Sequence, residues 1–140
     1  MKMNTLGKSG IEVGCLGLGT MTFGEQNTQE EAFAQMDCAL AAGVKLFDTA
    51  EMYPVPPKEK TFTKSEKIIG KWMKQRKCRE RLVLATKIVG PTSASRGMSG
   101  YIRDGINHLT NENINKALEG SLGRLGTDTI DLYQIHWPDR

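Results

Sequence analysis

The sequence predicts an α/β fold built on a parallel sheet. Two observations carry this. Short apolar runs alternate with longer stretches of helical periodicity in the order β-α-β-α-β-α-β. The helical stretches are also long enough to bring the chain back along a sheet, so each unit reads as a right-handed βαβ crossover.

Residues 3–13 come first and read as a short β-hairpin turning at Lys8-Ser9-Gly10. Strand one is Cys15-Leu16-Gly17-Leu18. Residues 28–42 form a helix. It opens with Thr28-Gln29-Glu30-Glu31, a capping box whose hydroxyl and carboxylate satisfy free backbone N–H groups. Ala32, Phe33, Met36 and Leu40 then follow helical spacing as far as a stop at Gly43. Strand two spans 44–48. A second capping box, Thr63-Lys64-Ser65-Glu66, starts the next helix, with Ile68, Ile69, Trp72 and Met73 on its apolar face. Strand three spans 82–86, rich in branched side chains. Helix three spans 111–125, with Ile114, Ala117, Leu118, Leu122 and Leu125 on one face and Gly126 ending it. Strand four spans 130–135. Two long connections follow strand ends. Residues 53–62 hold Pro54, Pro56 and Pro57, which exclude regular helix and central strand. Residues 89–108 are rich in Gly and Ser. Loops of this length are often functional.

Composition narrows the partners. The chain has 140 residues, 39% hydrophobic and 25% charged, the balance of a globular domain. A formal net charge of +3 is too small to imply nucleic acid. The basic cluster at 71–81, with Lys74, Arg76, Lys77 and Arg79, reads as a solvated helix end. Cys15, Cys38 and Cys78 are far apart and form no C-x-x-C, against a disulfide framework or zinc. No apolar run approaches the ~20 residues of a membrane span, and the first residues lack the apolar core of a signal peptide. His108 and His136 are the only histidines, with no metal-ligand cluster around them. A soluble, reduced, cytoplasmic protein without metal is expected. Gly14, Gly17 and Gly19 read G-x-x-G-x-G with no helix directly after, which is not a dinucleotide-binding fingerprint.

The titratable residues fall in a pattern. Asp48 ends strand two, Lys87 ends strand three and His136 ends strand four, with Tyr53 in the loop after strand two. In a parallel sheet or barrel these ends share one face, where such folds carry their sites. Alternation groups Asp48 with Leu46 and Val44, Lys87 with Ala85 and Val83, and His136 with Gln134 and Leu132. Singly, each has a bland alternative: Asp48 a loop cap, Lys87 a solvated charge, Tyr53 a rigid anchor, His136 a core histidine. Together they suit carbonyl reduction. Tyr53 gives a proton to oxygen, Lys87 stabilises its phenolate, Asp48 holds Lys87, and His136 orients the carbonyl. The hydride must come from a cofactor.

Three segments, Phe47-Asp48-Thr49-Ala50-Glu51-Met52-Tyr53, Ala85-Thr86-Lys87 and Gln134-Ile135-His136-Trp137-Pro138, resemble the signatures of aldo-keto reductases. The start, Leu16-Gly17-Leu18-Gly19-Thr20-Met21-Thr22-Phe23-Gly24, and the loop Glu51-Met52-Tyr53-Pro54-Val55-Pro56-Pro57 resemble a Tas-like bacterial branch. The resemblance implies a (β/α)8 TIM barrel, NADPH as cofactor, a small-molecule carbonyl substrate, and a catalytic tetrad of Asp48, Tyr53, Lys87 and His136. It places Gly19, Thr20 and Met21, with Asp48, near the nicotinamide. Such a barrel takes about 250 residues. Residues 1–140 are therefore expected to be the N-terminal half, strands one to four, of a longer chain. The family's sites for the adenosine ribose and phosphates lie in later strands, so the isolated chain is expected to bind NADPH poorly. Two other roles remain open: an NADPH-sensing subunit of a membrane channel, and a half-barrel completed by a second chain.

Overall fold

The computed structural model describes residues 2–91 and 100–139. A small antiparallel hairpin, β1 (Met3–Thr5) with β2 (Glu12–Gly14), leads the chain. It precedes a parallel sheet of β3 (Gly17–Gly19), β4 (Leu46–Asp48), β5 (Val83–Ile88) and β6 (Leu132–Ile135), paired in chain order. Among the described residues, three α-helices connect successive strands of the sheet: α1 (Gln29–Ala41), α2 (Lys64–Arg76) and α3 (Asn111–Leu125). The alternation read from the sequence is therefore the architecture. Part of the Gly/Ser-rich connection, residues 92–99, lies outside the described residues.

Local chemistry explains where elements begin. The hairpin closes with Leu6 N–H donating to Ile11 O and Ser9 Oγ donating to Leu6 O. Cys15 still belongs to it, since its N–H donates to Lys2 O at 3.1 Å. The sheet consequently starts at Gly17, later than the sequence suggests, and Leu16 is exposed. At α1 the capping box forms as expected. Thr28 Oγ1 accepts from Glu31 N–H at 3.2 Å, and Glu31 Oε2 accepts from Thr28 N–H at 2.8 Å. The expected box at Thr63 does not form. Thr63 sits in the left-handed region at φ 66 and its side chain caps nothing. Its intended partner, Glu66, is fully buried and accepts from Thr86 Oγ1 at 2.7 Å and Arg124 Nε at 2.6 Å. That carboxylate ties α2 to β5 and α3 and cannot fold back on its own helix.

The sheet separates its side chains by parity. Phe47 and Leu84 point at the helices and are buried with Met36, Ile69 and Trp72. The Phe47 and Trp72 rings stack with centroids 5.4 Å apart. Burying side chains of this size stabilises by roughly 1.5–3 kcal/mol each. The opposite face carries Leu46, Asp48, Lys87 and Gln134, all half-buried.

Helix α3 departs from expectation. Its most buried stripe is Asn113, Ala117, Ser121 and Leu125, while Ile114, Leu118 and Leu122 are only half-buried. Small residues fit here because α2 approaches closely. A Cβ added to Gly70 would lie 2.4 Å from Arg124 O and 2.9 Å from Leu125 C and O. Beyond α3, no described helix follows β6, and Ile135 is 58% exposed. Gly70→Ala is therefore expected to destabilise the protein by about 1–3 kcal/mol through overpacking. Gly123→Ala, whose Cβ meets nothing within 4 Å, is expected to stabilise α3 by about 0.5–1 kcal/mol. Urea denaturation of both variants checks the pair; equal effects would contradict this packing.

Candidate active site

Register brings the strand ends together. Gly19 pairs with Asp48, Asp48 with Ala85, and Ala85 with Leu132, while Lys87 pairs with Gln134. Asp48, Lys87 and Gln134 thus share one face at the C-terminal edge of the sheet. Lys87 Nζ donates to Asp48 Oδ2 at 2.7 Å and to Thr49 O at 2.8 Å. Gln134 Nε2 donates to the other carboxylate oxygen, Oδ1, at 3.0 Å. Gln134 was not among the residues expected in the site. Its signal was available, as the polar residue between Leu132 and His136 on the inward side of β6.

Tyr53 completes the cluster from the loop after β4. Its N–H closes a turn on Ala50 O, and the peptide bonds before Pro54 and Pro56 are cis. Lys87 Nζ lies 5.1 Å from the centroid of the Tyr53 ring. His136, anchored by its N–H to Ile88 O at 3.0 Å, meets that ring edge-on with centroids 5.6 Å apart. All four residues expected to act together are brought together.

Gly19, Thr20 and Met21 follow at the rim of β3. Thr20 donates both N–H and Oγ1 to Asp48 O, at 3.0 and 2.9 Å. Met21 O accepts from Val55 N–H at 2.7 Å, and the Met21 side chain is exposed. A Cβ on Gly19 would meet nothing within 4 Å. The space where a side chain would stand on Gly19, the strand partner of Asp48, is therefore open.

The family model "Aldo/keto reductase family" matches residues 15–140. The chain belongs to the aldo/keto reductase family. It is 48% identical over 140 residues to Protein tas of Escherichia coli strain K12, covering 100% of this chain and 39% of that protein. It is 43% identical over 141 residues to the uncharacterized oxidoreductase YrpG of Bacillus subtilis strain 168, covering 100% of this chain and 41% of that one. Among solved structures, the thermostable aldo-keto reductase Tm1743, in complex with the inhibitor epalrestat, aligns with TM-score 0.74 at 33% identity. That alignment covers 99% of this chain and 44% of the neighbour. The chain thus spans about two fifths of the length of the curated relatives it matches. Its fold is the N-terminal half of a (β/α)8 barrel.

Within this aldo/keto reductase chain, electrostatics correct one expectation. Lys87 was expected to ease ionisation of Tyr53. Instead the phenol is pushed up, by burial first and by the negative charge of Asp48 second. The ammonium faces the ring and gives two of its three hydrogen bonds to Asp48 and Thr49. Tyr53 therefore holds its proton firmly in this arrangement.

A surface groove of about 1170 Å³ lies along the outer side of α2, between Lys64, Lys67 and Lys71 and the glycines of α3, and includes none of the four clustered residues. Among the described residues, no group of three or more His, Cys, Asp or Glu could hold a metal ion. No helix among them is long and apolar enough to cross a membrane.

His136 is pushed down from 6.5 to about 4, by burial first and then by the positive charge of Lys87, with Asp48 opposing. The imidazole is thus neutral at pH 7. Unfolded, it takes a proton below about 6.5; folded, only below about 4. Between these values unfolding takes up a proton, so stability contributed by neutral His136 is lost as pH falls through that window. The His136 ring resonance, assigned with a His136→Asn variant, is expected to titrate near pH 4. A midpoint near 6.5 would contradict the buried, cation-facing placement.

Proposed function

We propose that the protein carrying this chain is an NADPH-dependent oxidoreductase that reduces aldehyde or ketone carbonyls, with residues 1–140 forming part of its barrel and supplying its acid. One observation carries the reading: Lys87, paired with Asp48, sets its ammonium 5.1 Å from the centroid of the Tyr53 ring, and His136 meets the same ring edge-on. Similarity to a named reductase and to a named oxidoreductase supports the same class.

Each side chain has a distinct task. Tyr53 is the general acid. Its raised phenol stays protonated at neutral pH, so the proton is in place when charge develops on the carbonyl oxygen. Lys87, its ammonium 5.1 Å from the ring centroid, is a cation available to the phenolate once the proton has gone. Asp48, held by Gln134 as well, fixes the ammonium. Neutral His136 has its Nδ1 buried without a hydrogen-bond partner among the described residues. With Nδ1 left as the lone pair, the ring proton would sit on Nε2 and donate to the substrate oxygen. Gly19, Thr20, Met21 and Asp48 would hold the nicotinamide end of NADPH, which when bound supplies the hydride. Reduction and alcohol oxidation share this geometry.

Tyr53→Phe removes the proton and keeps the ring. Expected is a loss of about 10²–10⁴-fold in kcat for a reducible aldehyde, with NADPH affinity by fluorescence titration almost unchanged. A variant keeping more than half the activity would remove Tyr53 from the role of acid.

A further inference from the structure

Glu51 lies two residues before Tyr53 and is 2% exposed. Its N–H donates to Lys87 O at 3.2 Å, and its Oε1 accepts from Val89 N–H at 2.6 Å. Arg103, from the connection between β5 and α3, grips both carboxylate oxygens: Nη1 donates to Oε2 at 2.8 Å and Nη2 to Oε1 at 2.9 Å. The same Nη2 donates to Val89 O at 3.1 Å. One two-pronged ion pair therefore fastens three segments: the Tyr53 loop, the end of β5 just past Lys87, and the connection that carries Arg103.

Two further observations indicate that this contact is built rather than incidental. Arg103 and Asp104 both hold left-handed backbone, at φ 46 and 52. Neither is glycine, and such strain persists only where surrounding contacts fix the chain. The chain neighbours of the pair, Ala50, Met52 and Ile102, also join Val89 in a second apolar cluster, against which Tyr53 itself packs. A buried carboxylate without its guanidinium would be strongly disfavoured, so the two residues hold each other in place.

We propose that Glu51 and Arg103 are positioning residues for Tyr53: their ion pair sets the placement of the phenol over Lys87 and against His136. The assignment rests on the reductase reading for its catalytic consequence. Its structural consequence, the environment of the phenol, does not depend on turnover.

The test uses the protein as its own gene encodes it. Glu51→Gln keeps shape and reach but removes the charge. Expected is a fall in kcat of about 10–100-fold, as for a displacement of about 1 Å at a reacting group, with KM changed less than about threefold. The ultraviolet titration of Tyr53, isolated by difference against Tyr53→Phe, is expected to drop back toward the ordinary phenol range as the ring leaves its buried place beside Asp48. A purely structural role would lower Tm and leave that titration unmoved. If Glu51→Gln does not fold, Arg103→Lys carries the same test, since it keeps the charge and loses the two-pronged geometry. A folded variant with kcat within twofold of wild type and an unmoved Tyr53 titration overturns the proposal. A wild-type protein with no carbonyl reduction sinks the reductase reading instead, and the Tyr53 titration still decides the positioning claim.

Discussion

Lys87 reaches from β5 to the end of β4 and places its ammonium on Asp48, and the rest of the site is arranged around that contact. An ammonium taken largely out of water needs a counter-charge and hydrogen-bond acceptors beside it. Asp48 and Thr49 O supply both. The contact requires neighbouring parallel strands in one register, side chains of the right parity, and a second donor for the free carboxylate oxygen, which Gln134 provides. Tyr53 and His136 then take up positions against a fixed charge pair. Burial first and the charge of Asp48 second hold the phenol proton on, and burial first and the charge of Lys87 second keep the imidazole neutral.

The helix-facing side of the same strands is built differently. There Thr86 donates to Glu66, Glu66 accepts from Arg124, and the glycine at position 70 lets α3 approach. This buried polar network anchors β5 from behind while Lys87 works at its front. Adjacent residues of one strand, Thr86 and Lys87, thus serve the scaffold and the site respectively. That division follows directly from the twofold alternation of a strand.

Much of this was legible in the sequence, because periodicity and strand-end chemistry are local signals. The α/β alternation, the hairpin, the Thr28 cap and the convergence of Asp48, Tyr53, Lys87 and His136 all came from spacing or from resemblance to a family. What escaped depended on partners distant in the chain. Thr63-Lys64-Ser65-Glu66 has the letters of a capping box, yet Glu66 is claimed by Thr86 and Arg124. Of the apolar face assigned to α3, Ala117 and Leu125 are buried but Ile114, Leu118 and Leu122 only half-buried, because Gly70 brings a stripe with Asn113 and Ser121 closer to α2. The raised Tyr53 phenol reflects burial first and the negative charge of Asp48 second, and the depth of that burial is not encoded in spacing. Glu51 and Arg103 meet across 52 residues of sequence, and nothing near either one announces the other.

The most direct test of the account is a double-mutant cycle at Asp48 and Lys87, read as the rate of carbonyl reduction at saturating NADPH. If Asp48 acts by holding Lys87, then Asp48→Asn and Lys87→Met each lower the rate, and the double variant is no slower than the worse of the two. Losses that multiply would mean that the two residues act separately, and the ion pair would not be the interaction on which the site is built.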